Sequence, residues 1–174
     1  MPTKDPTSMP YRRNVGVMVI NRAGLIWIGR RLPTGVWKKT VDASKVSGWW
    51  QMPQGGIDDG EDPAAAALRE LVEETGMQTA SIVAESAHWH AYDLPPDLMG
   101  RALGGRYRGQ TQKWFLLRFN GEDSEINITP VEHEPEFEAW RWARLDELAP
   151  LIVPFKRQVY SLVIDEFRAH VRPA

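Results

Sequence analysis

Three glutamates at i, i+3 and i+4, Glu70, Glu73 and Glu74, are the side chains whose type and spacing best suit chemistry in this chain. On a helix that spacing gathers the carboxylates on one face, where like charges repel. Arg69 offsets only part of this through its own i,i+4 pairing with Glu73. A hard divalent cation is the natural partner, because magnesium takes oxygen ligands and shares itself between a few carboxylates, waters and substrate phosphates. Taken alone, the three glutamates read better as a solvated acidic face. The Gly55-Gly56 turn lets backbone approach the same ions, and the full spacing with the glycines and Arg69 reverses that preference.

The element that must position these groups is a helix over residues 64–75. Asp62 is an N-cap acceptor, Pro63 suits the first helical position and Gly76 supplies the stop. At roughly 100° per residue, Ala64, Ala67, Leu68, Leu71 and Val72 fall inward and the glutamates outward. Upstream, the apolar runs 15–20 and 25–28 flank Asn21-Arg22-Ala23-Gly24, a hairpin signature. Residues 32–48 form a Gly/Lys/Ser-bearing connection. Strands are expected over 81–92, 114–119 and 137–142. Between the first two, residues 95–112 are rich in glycine and arginine and too long for a simple turn, so they read as a functional or mobile loop. A short helix near 145–148 and a longer one over 155–171 close the chain, the latter with Val159, Leu162, Val163 and Phe167 at helical spacing. Strands mixed with a few helices predict an α/β or α+β sandwich.

With 174 residues, 43% hydrophobic and 25% charged, the chain suits one globular domain with a sizeable core. We expect residues 1–10 to be a flexible, proline-rich N-terminus and 11–174 a single domain. A formal charge of −2 argues against an electrostatically driven nucleic-acid coat, so any such contact is local, and neither DNA nor a membrane is expected as a partner. The absence of cysteine excludes disulfides, zinc thiolates and thiol nucleophiles. No apolar run reaches the length of a membrane span, which makes a cytoplasmic protein the expectation.

From Gly55 to Met77 the spacing of glycine, Glu61, Arg69-Glu70-Leu71, Glu73-Glu74 and Gly76-Met77 resembles the Nudix box without departure. Further blocks extend the likeness along most of the chain: 11–16, 50–57, Tyr92-Asp93-Leu94-Pro95, 110–115, Pro135-Glu136-Phe137, 140–142 and Pro154-Phe155-Lys156-Arg157. Together they are similar to the bacterial RNA pyrophosphohydrolases, also described as dinucleoside polyphosphate hydrolases. The segment around 36–46 is longer than in enterobacterial members, which bears on the pocket rim rather than the chemistry. The resemblance implies a Nudix-like α/β/α sandwich with a mixed β-sheet between helices. It implies magnesium, with manganese able to substitute, held by Glu70, Glu73, Glu74 and the backbone carbonyl of Gln54. Glu136 would be a further carboxylate near the metals, although its acidic surroundings at 132–136 read by themselves as a plain loop.

Phosphoanhydride hydrolysis requires that charge on the phosphate chain be neutralised and a water activated. One carboxylate accepts the water's proton; the spacing does not choose between Glu70, Glu73 and Glu136, while Glu74 is primarily a ligand. By resemblance Arg12 and Arg31 touch substrate phosphates, a task suited to the guanidinium fork. Phe155 would stack on a base with Lys156 near a phosphate, although Phe155 shares a helical stripe with Val159, Val163 and Phe167 and periodicity makes it core. Tyr92 and Lys113 are expected in the pocket wall. The eight tryptophans are assigned mostly to the core, and His88 and His90 receive no chemistry. The substrate implied is a 5′-triphosphorylated RNA end or a dinucleoside polyphosphate, the former placing the protein in mRNA decay. Two alternatives stand beside it: a Nudix pyrophosphatase of another small nucleotide, and a catalytically silent nucleotide- or RNA-binding module. The silent module is disfavoured because no box glutamate is missing.

Overall fold

Two-residue alternation along a pair of central strands builds both faces of the core at once. The computed structural model describes residues 5–33 and 48–174. Within them β1 (Tyr11–Ile20) and β7 (Gly109–Phe119) run parallel, from Tyr11 opposite Gly109 to Ile20 opposite Arg118. Val15, Val17, Val19, Phe115, Leu117 and Phe119 project to one face. Met18, Ile20, Trp114 and Leu116 project to the other. Burial on both faces explains why these stretches read as continuous apolar runs.

Around them lie β2 (Ile26–Arg31), β3 (Trp50–Gln51), β4 (Gln54–Gly56), β5 (Ala80–Glu85), β6 (His90–Asp93) and β8 (Phe137–Ala143). The sheet order is β3-β2-β1-β7-β5, with β4 also on β1, β6 on β7 and β8 on β2. The other described pairings are antiparallel, so the sheet is mixed. Helix α1 (Pro63–Thr75) covers the valine face through Ala66, Ala67 and Leu71. Helix α3 (Arg157–Phe167) covers the other through Val159, Tyr160, Val163 and Phe167, beside the short α2 (Leu148–Leu151). This is the expected α/β/α sandwich.

Local signals behave as their chemistry dictates. The Asn21 N–H donates to the Leu25 carbonyl and the Gly24 N–H to the Asn21 carbonyl, each at 3.0 Å, closing the hairpin. Asp62 accepts from the Ala65 N–H at 3.2 Å, and Gly76 ends α1 at φ 74. Residues 6–8 form a single 3₁₀ turn, and Arg108 donates to the Thr7 carbonyl at 2.8 Å. No helix among the described residues is long and apolar enough to cross a membrane.

Several expectations change. The inward stripe of α1 is rotated toward its acidic side: Leu68 and Val72 are 38% and 40% exposed, while Glu74 is only 9% exposed. Packing through Ala66 and Thr75 as well as Ala67 and Leu71 puts Glu74 in the middle of the buried stripe. The strand expected over 81–92 is two strands. Ser86 interrupts it, its N–H donating to the Trp114 carbonyl and its Oγ accepting from the Trp114 N–H. Residues 109–112, expected in a loop, already belong to β7. Gly55-Gly56 lies in a short strand rather than a turn. Most of the 32–48 connection, including 36–46, lies outside the described residues.

Gly16 sits opposite Trp114, and a Cβ at Gly16 would enter the Trp114 indole ring. Gly16→Ala is expected to lower stability by roughly 1–3 kcal/mol, the cost of overpacking a filled core. Urea unfolding of both proteins measures it, and an unchanged midpoint would contradict the packing described.

Candidate active site

Where β1 begins and β2 ends, the sheet opens into a cavity of about 280 Å³. Arg12 and Asn14 from β1, Arg31 from β2, Gln51 and Gln54 from β3 and β4, and Tyr92 from β6 line it. Glu70 and Glu74 reach it from α1, Glu136 from the chain before β8, and Phe155 and Lys156 from the 3₁₀ turn that leads into α3. A second cavity, also about 280 Å³, is lined by Glu70, Glu73, Glu74, Glu136, Pro130, His133 and Glu134. Glu70, Glu74 and Glu136 therefore form a carboxylate wall shared by both.

Bare backbone and one arginine bring that wall together. A Cβ on Gly55 would fall on the Glu70 carboxylate, and one on Gly56 would fall on the Arg12 guanidinium. A side chain at either position would have to displace those flexible ends, so glycine leaves both groups room where they stand. Arg69 donates to Glu61 at 2.8 and 2.9 Å, to Glu70 at 2.9 Å, to Glu73 at 3.3 Å and to the Gly56 carbonyl at 2.9 Å. Glu61, to which the sequence reading assigned no role, holds that fork, and Arg69 in turn holds its carboxyl down at about 2.

Beyond Arg69 the carboxylates are poorly neutralised. Burial pushes Glu70 up to about 7, against the opposing pull of Arg69 and with Glu73 adding to the rise. Burial raises Glu74 well above its usual range, Glu136 and Glu70 adding repulsion, although Glu74 accepts from the Gln54 N–H at 3.3 Å. Arg31 pairs with Glu136 at 3.5 Å. Lys156 is 4% exposed, and burial with the nearby Arg31 charge pushes it down to about 7. Its Nζ donates to Gln54 Oε1 at 3.1 Å and to Gln51 Oε1 at 3.4 Å.

Phe155 reconciles stacking and periodicity, because it is half-buried, packs partly on the α3-side core and faces the cavity. Its ring lies 5.8 Å from that of Tyr92. Lys113 does not reach the cavity. Alternation along β7 turns it to the opposite face, where its Nζ donates to the Ser86 carbonyl. Sequence reasoning gave no role to the buried amides that line or back the cavity. Gln112 donates to Asn14 at 2.8 Å and to Gln54 at 3.3 Å while accepting from the Trp114 indole N–H at 3.2 Å. Gln110 accepts from the Tyr92 hydroxyl. The polar-at-every-second-residue pattern of 110 and 112, on the same face as Trp114, was the available signal.

Among the described residues no group of three carboxylate or imidazole side chains is arranged as a formed metal-ligand cluster. The donor chemistry nevertheless fits a hard divalent cation. Oxygen ligands, two carboxyls that burial drives to take up protons, with neighbouring carboxylates adding to the effect, and an adjacent backbone make a site that a divalent ion would stabilise.

Residues 10–163 match the NUDIX domain family. The chain is 55% identical to the RNA pyrophosphohydrolase of Brucella abortus (strain 2308) over 94% of its length and 91% of that protein's. It is 53% identical to the RNA pyrophosphohydrolase of Brucella anthropi, over 94% and 93%. In fold it is similar to the E. coli dihydroneopterin triphosphate pyrophosphohydrolase, with TM-score 0.64 and 19% identity over 90% of this chain and 99% of that one. A C. elegans Ap4A hydrolase binary complex gives TM-score 0.62 and 17% identity over 92% and 97%.

A carboxyl at about 7 in the folded protein, against an ordinary 4.5, favours folding fully below pH 4.5 and loses that contribution as pH rises through 7. Relative to Glu70→Gln, which does not titrate, the protein in EDTA is expected to lose stability between pH 5 and 8. Denaturation midpoints of both proteins across that range test this, and a constant gap between them would refute the environment assigned to Glu70.

Proposed function

This chain belongs to the Nudix hydrolase family, and from that premise we propose that it removes pyrophosphate from 5′-triphosphorylated RNA, leaving a 5′-monophosphate. Cleavage of dinucleoside polyphosphates is a second reaction of the same site. The observation that carries the reading is the single cavity in which a carboxylate wall, three cations and an aromatic pair meet. Those are the three recognition needs of a polyphosphate with a nucleobase attached.

Arg12, Arg31 and Lys156 bind the phosphate chain, and Phe155 with Tyr92 offers the base a stacking surface. Glu70, Glu73, Glu74 and Glu136, with the Gln54 carbonyl, would hold magnesium or manganese, which when bound neutralises phosphate charge and acidifies a water. One carboxylate oxygen of the wall would take the proton of the attacking water. Arg69 and Glu61 keep the wall in place while charge shifts across it, so the scaffold reorganises little during reaction. In the cell we place the protein in the cytoplasm, at the start of mRNA decay.

Isosteric Glu74→Gln is expected to lower kcat by orders of magnitude without loss of stability, since a neutral amide is easier to bury than a carboxylate. EDTA should abolish turnover and magnesium or manganese restore it. Near-native turnover of the soluble variant would remove Glu74 from the metal site.

The deciding experiment compares kcat/KM for triphosphorylated RNA and diadenosine tetraphosphate with magnesium. We expect RNA to be preferred. A preference for the dinucleotide would make it the substrate, and turnover of neither would favour another small nucleotide or a silent binding module.

A further inference from the structure

The cavity takes its polar lining from strands, helix α1 and the turn before α3, while its larger apolar surfaces among the described residues are Tyr92, Leu94, Leu103 and Phe155. Two of these four lie in one stretch, 94–105, that has a small core of its own. Leu94, Leu98 and Ala102 are buried together, with Met99 and Leu103 packed against them, apart from the two cores that cover the sheet. Pro95 closes the stretch by accepting from the Leu98 and Met99 N–H groups at 2.9 and 3.1 Å, and Ala102 donates to Leu98 at 2.9 Å. Its N-terminal end is fixed to the strand pair by the Leu94 N–H donating to the Arg108 carbonyl at 2.8 Å. A self-contained unit so placed presents leucine to the cavity from an anchored support.

Leu103 has φ 53, the one non-glycine residue in the left-handed region among the described residues. Gly104 and Gly105 follow, both at φ 70. Three consecutive left-handed residues turn the chain sharply, and glycine fills two of them at no steric cost. A leucine in the third is strained, and glycine or asparagine would make the same turn more easily. Leu103 packs on the small core beside Met99 and also lines the cavity, so its side chain serves two surfaces. Strain of this kind persists where surrounding structure enforces it and clusters at ligand sites.

We propose that residues 94–105 form an aliphatic wall of the nucleobase slot, and that Leu103 is a specificity-determining residue whose backbone strain is retained to hold its side chain in the cavity. The inference rests on the reading of the cavity as a nucleotide site. The ligand it recognises is the apolar face of a purine or pyrimidine ring. Leu103 has no hydrogen-bonding side-chain group, so it favours any ring over a bare sugar rather than selecting one base.

The test uses full-length wild type, Leu103→Ala and Leu103→Asn on 5′-triphosphorylated RNA, intact or abasic at the first or second nucleotide, with melting temperatures measured on the same preparations. Wild type should prefer the intact RNA. Leu103→Asn, tolerant of the left-handed backbone and close in size, should keep or raise the melting temperature. It should also raise KM for intact RNA about tenfold with kcat held, shrinking the intact-to-abasic ratio. If wild type does not distinguish intact from abasic RNA, the cavity is not a base slot and both readings fail. If wild type distinguishes them and the variants do so equally, this inference alone fails. A ratio that shrinks only in variants with a lowered melting temperature also defeats it, because Leu103 would then serve packing.

Discussion

Arg69 donates at once to Glu61, Glu70, Glu73 and the Gly56 carbonyl, and the acidic corner of the molecule depends on that fork. Carboxylates that repel must be kept together in a poorly solvated place. Only a cation with several fixed donors can join two of them to a third while still tying helix to strand. Glu61 makes the arrangement rigid, because its bidentate grip uses donors that would otherwise let the guanidinium swing. Lysine would supply the charge without the geometry. The join between α1 and β4 is therefore electrostatic where most helix–sheet contacts in this fold are apolar.

The same corner explains why strands of a buried sheet carry so much polarity. Asn14, Gln51, Gln110 and Gln112 are all buried, at a cost unless each amide is satisfied. Gln112 meets that demand by bonding to Asn14, Gln54 and the Trp114 indole. Amides suit this position because they donate and accept without charge, so they line the cavity without competing with its cations. Behind them Trp114 fills the space over Gly16 and begins the apolar core within two residues of the polar row.

Much of the fold was legible because it is written in local chemistry: the Asn21–Gly24 turn, the Asp62-Pro63 start and Gly76 stop of α1, and the doubly buried apolar runs of β1 and β7. What misled was function intruding on pattern. Residues 109–112 read as loop because the cavity makes a central strand polar there. Glu74 read as outward because a helical wheel ranks residues by polarity, whereas α1 buries this glutamate to serve the site. Lys113 shared a motif with Gln112, but adjacent residues on a strand face opposite ways, so motif membership alone did not bring it to the cavity. Phe155 drew two opposed readings because a side chain in a pocket wall packs on one side and faces the ligand on the other. The three glutamates stood out only through the full spacing with the glycines and Arg69, since alone they read as a solvated face; the grip of Glu61 on Arg69 and the aliphatic contribution of Leu103 were not legible, since both depend on how the chain folds back on itself.

The parallel ladder of β1 and β7 joins residues as far apart as Asn14 and Gln112, 98 positions along the chain. Parallel partners of that separation pay a large loop-closure entropy before any pairing is rewarded, so this centre assembles late and slowly compared with the hairpin and α1. During synthesis Arg12 of the first strand and Lys156 of the final turn meet only after Lys156 has left the ribosome. The residues of α1 are thus synthesised long before the cavity they line can close. The cavity is therefore among the last features that a chain emerging from the ribosome can complete.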